Sequence, residues 1–181
     1  GCSVRGIETS GGRLSRVITE KGAISTSTAL CAAGAWSSYF CRSLGISVPQ
    51  LKVRGTVART NTVETKINGT IFDKQLSIRK RNDGGYTVAH GSTFDHAITP
   101  STLKYSKKYL RALINEFSVL KLSIGTDFID ELAAPKHWDL DKKSPFEMNR
   151  VLNPKPNKNT ISQIQKKLGE VYPELRNANI V

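Results

Sequence analysis

Six consecutive residues, Ala32-Ala33-Gly34-Ala35-Trp36-Ser37, stand where a small apolar run gives way to a helical pattern. Small side chains there let the backbone approach a ligand, and the first N–H groups of a helix, at Ala35 to Ser37, offer donors to a pyrophosphate or a ribose. Close packing at a strand-to-helix turn uses the same residue types, so the spacing leaves both readings open. The other reactive side chains form no such constellation. His90, His96 and His137 are well separated, and no HExxH, paired-carboxylate helix or GxSxG occurs, which argues against a metal centre and a serine hydrolase. Arg79-Lys80-Arg81 is the one dense basic run. It lies in a strand-like segment without the interleaved aromatics of a single-strand nucleic-acid surface.

The elements that must position these residues are legible as patterns. Val4 to Glu8 alternates, Gly11-Gly12 makes a turn, and Arg13 to Glu20 runs back to Lys21-Gly22, which predicts a β meander. Ala23 to Ala33 ends in Thr28-Ala29-Leu30-Cys31-Ala32-Ala33, as expected of a strand covered on both faces. Gly34 breaks it, and Trp36, Phe40 and Leu44 at four-residue spacing predict a helix over Ala35 to Leu44 that Gly45 ends.

Gln50 to Thr60 reads as β. The segments 76–81 and 86–90 flank Asn82-Asp83-Gly84-Gly85, a strong hairpin signal because these residues tolerate positive φ. From Pro100 the period changes to helical, with Leu103, Leu110, Leu113, Ile114, Phe117 and Leu120 tracing one face. A short helix is expected from Ser144, with Pro145 at its first position and Glu147 completing a capping box. Ile161, Ile164, Leu168 and Val171 mark a last helix that stops before Pro173. The pattern is α+β, a β-rich first half and a helical second half, with a βα unit at its front.

The composition bounds what the chain does. It has 181 residues, 38% apolar, 23% charged, with a net charge of +12. That excludes collagen, coiled-coil and disordered classes. Residues 1–100 hold 13 basic and 6 acidic side chains and residues 101–181 hold 14 and 9, so the excess is dispersed rather than gathered into a nucleic-acid footprint. No apolar run approaches the roughly 20 residues of a membrane span, and the first residues show no signal-peptide stretch. Cys2, Cys31 and Cys41 are odd in number and lack CxxC pairing, so a reducing, cytoplasmic compartment is the default.

At the Ala32–Ser37 turn the sequence also carries a resemblance. Arg13 to Ser37 (RLSRVITEKGAISTSTALCAAGAWS) resembles the "V..V.T..G.I.a..vV.AaGaWS" stretch of FAD-dependent amine and D-amino-acid oxidoreductases, the glycine oxidase and D-amino-acid dehydrogenase group. Leu44 to Pro49 followed by Val53-Arg54-Gly55 is similar to that family's "LGi.lP....+G". Ile78 to Gly91 resembles its "y.rP..dGgy.vG" hairpin. The likeness covers residues 1 to about 91 with some specificity and the helical remainder loosely.

The resemblance implies an α/β-type edge of an FAD domain over 1–49, joined to a substrate domain of mixed sheet and helices over 50–181, with its hairpin at 76–90 and a helical insertion at 100–175. It implies that Val4 meets the adenine side of FAD and that Ala32, Ala33, Gly34 and Trp36 pack on the adenosine and pyrophosphate. It implies hydride transfer from a C–H beside an amine to the flavin. In related oxidases a hairpin tyrosine touches the substrate carboxylate, and Ser77 stands in its place. Arg79, two residues on and on the same strand face, is either an alternative carboxylate clamp or an exposed strand arginine, and His90, at the end of the second hairpin strand, is either a substrate-binding residue facing the pocket or a structural histidine. The family's N-terminal GxGxxG motif and its closing "W.G.r..TpD..P.iG" segment do not occur in these residues. The expectation is a middle section of a longer FAD-dependent oxidoreductase of an amino acid or amine, whose partners are that small substrate and the remaining parts of the same protein. By itself it is expected to be inactive and not to retain FAD. A free-standing basic α+β module for an anionic partner is the other reading.

Overall fold

The computed structural model describes all residues 1–181. The chain divides into two compact units, one of Gly1–Lys52, Thr99–Lys108 and Gly125–Asn153, the other of Val53–Ile98, Tyr109–Ile124 and Pro154–Val181. Mixed sheets and helices make up both, in agreement with the α+β pattern.

In the first unit β1 (Val4–Ser10), β2 (Arg13–Thr19) and β3 (Gly22–Ser25) form an antiparallel meander. Its first turn needs positive φ at two successive positions, and Gly11 (φ 57°) and Gly12 (φ 74°) supply it. A 3-10 turn, Gly34–Trp36, leads into α1 (Ser37–Ser43), and Gly45 (φ 75°) ends the helix as its spacing predicts. The predicted strand through Ala33 is not there. β3 stops at Ser25, because the Thr26 hydroxyl donates to the Thr28 carbonyl (2.8 Å) and accepts from the Thr28 N–H (3.2 Å), a local turn that replaces ladder bonds. Thr28 to Ala33 then runs without a strand partner, and Leu30 is 91% exposed.

The same unit contains α4 (Pro145–Met148), which opens on the expected capping box: Ser144 donates from its N–H (2.9 Å) and its hydroxyl (3.0 Å) to Glu147. Arg5 on β1 grips the same carboxylate with two bonds, at 2.9 and 3.1 Å, and Arg150 binds Glu20 at 2.8 Å. The Phe146 ring lies between Trp36, Tyr39 and Trp138, with centroids 5.4–5.7 Å away at steep angles, the edge-to-face geometry that ring quadrupoles favour. The Arg5 hydrogen bond, followed by the Ser144 amide, holds Glu147 at about 2 instead of its ordinary 4.5, and the Arg150 bond with the Ser3 amide does the same for Glu20. A depressed carboxylate pKa contributes stability that is complete above about 4.5 and disappears as pH falls through about 2. Acid titration followed by Trp36 and Trp138 fluorescence is therefore expected to show this unit loosening in that window. Glu147→Gln is expected to shift the spectrum already at neutral pH and to flatten the acid response. An unchanged titration in the variant would contradict the assignment.

The second unit is built on a five-stranded sheet of order β4-β7-β6-β5, from β4 (Arg54–Arg59), β5 (Thr70–Ile71), β6 (Ser77–Lys80) and β7 (Tyr86–Ala97), with β8 (Leu120–Ser123) parallel to β7. The Asn82–Gly85 tetrad closes the β6–β7 hairpin: Arg81 N–H donates to the Gly85 carbonyl (2.8 Å), Gly85 N–H to Asp83 Oδ1 (3.0 Å), and Gly84 takes φ 83°. α5 (Lys158–Val171) is capped by Asn157, whose side chain accepts from Asn159 and Thr160. Its Ile164 and Leu168 are fully buried against Ile78, Tyr86 and Val88, with Leu76, Leu175 and Ala178 completing the core.

The helix expected from Pro100 is α2 (Pro100–Glu116), but its predicted apolar face does not continue to Leu120, which belongs to β8. Leu110, Ile114 and Phe117 of that stripe are exposed, and Tyr105 is the buried residue of α2. α3 (Thr126–Ala133) follows in the first unit.

Candidate functional site

The turn that leads into α1, Ala32 to Ser37, offers accessible backbone and few free amides. Ala32, Ala33 and Gly34 are exposed, and Gly34 is required by its φ of 55°, since a Cβ there would meet nothing within 4 Å. The Trp36 N–H closes on the Ala33 carbonyl (3.0 Å) and the Ser37 N–H on the Gly34 carbonyl. Gln50 completes this arrangement, donating to the Gly34 carbonyl (3.1 Å) and accepting from the Ser38 N–H (3.2 Å). Of the helix-start donors expected to face an anion, those of Trp36 and Ser37 are thus spent within the turn. The small exposed residues leave the backbone open to a ligand, whereas the amides do not form a pyrophosphate cradle. Trp36 is half-buried, edge-on to Phe146 and under the Lys52 ammonium at 5.8 Å, so its ring is held by the protein itself. Val4 is the first residue of β1, paired with Thr19.

The hairpin residues lie in the second unit. Strand parity sorts them. Thr56, Ala58, Ile78, Tyr86 and Val88 point to the core beneath α5, so Val57, Arg59, Ser77, Arg79, Thr87 and Ala89 share the opposite face. Ser77 is engaged with its own turn, its hydroxyl donating to the Asp73 carbonyl (3.2 Å) and accepting from the Asp73 N–H (3.3 Å). Arg79 is exposed and pairs in register with Thr87, which pairs on its other side with Arg59. Arg59 and Thr87 were not apparent in the sequence. The hairpin register that sets Thr87 opposite Arg79 is implicit in the turn, but the β4–β7 pairing is non-local.

His90 sits where β7 bulges: Gly55 pairs with Phe94 and Val57 with Ala89, so four β7 residues oppose the single Thr56. The Ser92 N–H donates to His90 Nδ1 at 3.4 Å. Burial, and then Lys167 and Lys121, push the His90 pKa down, which keeps the imidazole neutral at neutral pH. Near the same bulge, Arg54 donates to Asp95 (3.3 Å), and Asn157 donates to the other oxygen of that carboxylate (2.8 Å), tying β4, β7 and the cap of α5 together.

The first unit thus presents an exposed turn of small residues, and the second an exposed arginine on the outward face of its sheet. The profile of the family described as FAD dependent oxidoreductase matches residues 1–181, and the chain belongs to that family. It is similar to glycine oxidase from Pseudomonas putida, with 30% identity over 96 residues that make up 53% of this chain and 26% of that protein. Among solved structures it resembles L-amino acid deaminase from Proteus myxofaciens in complex with anthranilate (TM-score 0.89, 33% identity) and L-amino acid deaminase from Proteus vulgaris (TM-score 0.86, 28% identity). In both, 99% of this chain is covered. The chain spans about a quarter of the glycine oxidase, and 40% and 42% of the two deaminases. No helix is long and apolar enough to cross a membrane.

Proposed function

We propose that these residues are the middle section of an FAD-dependent enzyme that oxidises an amino acid or a related amine by hydride transfer to flavin. The similarity to L-amino acid deaminase along 99% of the chain carries this reading. Bound FAD would supply the acceptor for the hydride that leaves the carbon beside the amine. Within the chain, residues 1–49 act as the edge of the FAD domain, where Val4, Ala32, Ala33, Gly34 and Trp36 line the adenosine end. Residues 50–181 act as the substrate domain, in which Arg79 holds the substrate carboxylate while neutral His90 borders the pocket. Ser77 stiffens the 73–77 turn on the same face.

The pyrophosphate grip is assigned to residues outside these 181, because the turn's own carbonyls and Gln50 take up the Trp36, Ser37 and Ser38 amides. The test is turnover by the polypeptide of the whole reading frame, with an electron-accepting dye and a panel of amino acids. Dye reduction with release of a keto acid is expected for at least one of them. A flavin-loaded protein that reduces no dye with any amino acid or amine would overturn the proposal.

A further inference from the structure

Among the chain's asparagines only Asn68 precedes a glycine, and the fold leaves that pair open to reaction. Asn68 and Gly69 are both exposed, in the irregular stretch that leads into β5. Neither the Asn68 side chain nor the Gly69 N–H takes part in a hydrogen bond, and a Cβ at position 69 would meet nothing within 4 Å. The nitrogen of residue 69 therefore has no steric cover, on a backbone whose φ of 102° suits glycine. The comparable pair in the hairpin turn, Asp83-Gly84, is locked. Its Gly84 N–H donates to the Arg81 carbonyl (3.2 Å), and its carboxylate is held by the Gly85 N–H (3.0 Å) and by Arg81.

The chain on either side of Asn68 is fixed. Upstream, Glu174 accepts from the Thr65 hydroxyl and the Lys66 N–H (2.9 Å), and the Ile67 carbonyl accepts from the hydroxyl of the core residue Tyr86 (2.6 Å). Downstream, the Gly69 carbonyl accepts from the Lys80 N–H (2.9 Å), and Thr70 pairs with Arg79. Only residue 68 separates the two anchored residues, so the span between them has no slack.

We infer that Asn68 is a self-modification site, at which the Gly69 nitrogen displaces ammonia from the Asn68 amide and the chain acquires an isoaspartyl linkage. The Gly69 nitrogen, its proton lost to solvent base, attacks Cγ. The N–Cγ bond forms, the Cγ–Nδ2 bond breaks, and ammonia leaves with a proton, closing a five-membered imide. Water then opens the imide. Opening at the main-chain carbonyl leaves residue 69 bonded to Cγ, so the backbone gains a methylene and a neutral amide is exchanged for a carboxylate. No oxidant or cofactor takes part. The added methylene must be absorbed by one of the two anchors. The Tyr86 anchor belongs to the core, whereas β5 is a two-residue edge strand, so β5 lets go of β6 and the strand that carries Arg79 becomes the sheet edge.

The test is ageing of the polypeptide of the whole reading frame in warm, mildly alkaline buffer, native and urea-unfolded, read by tryptic peptide mass and by isoaspartyl-specific enzymatic methylation. In the native sample the Ile67–Lys74 peptide is expected to convert to its acid, mainly as the isoaspartyl isomer, ahead of every other asparagine peptide. Hydrogen exchange at the Lys80 amide is expected to rise about tenfold in the converted chain, as loss of one backbone hydrogen bond allows. Asn68→Gln is expected to abolish both changes. Conversion spread evenly over the asparagine peptides, conversion at residue 68 only after unfolding, or unchanged Lys80 exchange in chains that carry the isoaspartyl linkage would overturn the inference. So would an Asn68→Gln chain that loses Lys80 protection on ageing at the same pace.

Discussion

Gly91→Ala is expected to destabilise the second unit by about 3 kcal/mol or more, the upper range for overpacking. A Cβ at position 91 would lie 1.8 Å from the Asp73 carbonyl oxygen and 2.8–2.9 Å from the carbonyl carbons of Lys74 and Asp73. All three are backbone atoms, so no side chain can rotate away. The 73–77 turn is also held from within, by the Asp73 Oδ1 bond to the Gln75 N–H (2.7 Å) and by the two Ser77 bonds. Either the turn or the β7 bulge must move, and both belong to the sheet face that carries Arg79. Urea unfolding followed through amide exchange at Ile78 and Val88 reads the loss. A change below about 1 kcal/mol would mean that the close approach of the two segments is not as described.

Leu168→Ala is expected to cost about 3 kcal/mol, within the 2–5 kcal/mol span for a fully buried leucine. Leu168 has no exposed surface and sits on α5 against Ile78, Tyr86 and Val88. The core cannot easily collapse around the void, because the Tyr86 hydroxyl is fixed on the Ile67 carbonyl (2.6 Å) and the Tyr172 hydroxyl on the Leu76 carbonyl (2.9 Å). Leu110→Ala on α2, at a position 55% exposed, is expected to cost under about 0.5 kcal/mol, although helical periodicity gives the two leucines equal standing. Similar losses for the two variants would contradict the core described here.

The contrast between those leucines shows where sequence patterns carry information. The Asn82–Gly85 hairpin, the Ser144 capping box, the Gly45 stop and α5 were all legible, because each depends on residues within a few positions of one another. β8 was not. Leu120 to Ser123 continues an apolar spacing compatible with helix, and only its parallel pairing with residues 94–97 makes it a strand. Thr28 to Ala33 reads as a buried strand yet lies exposed, because a strand needs neighbours and no other residue of the chain pairs with it. The site divides in the same way. That Arg79 shares a strand face with Ser77 follows from strand alternation, and that Ala32 to Gly34 are small follows from residue type alone. Arg59 required the β4–β7 register, and the role of Gln50 required a contact across twelve residues.

The most direct test of the central claim is the flavin content and redox response of the polypeptide encoded by the whole reading frame, compared with the 181-residue chain. The whole polypeptide is expected to carry one FAD per chain, and its flavin absorbance to bleach when an amino-acid substrate is added without oxygen. The 181-residue chain is expected to purify colourless. A whole polypeptide that folds but neither contains nor takes up FAD would contradict the account, and so would stoichiometric FAD held by the 181-residue chain alone.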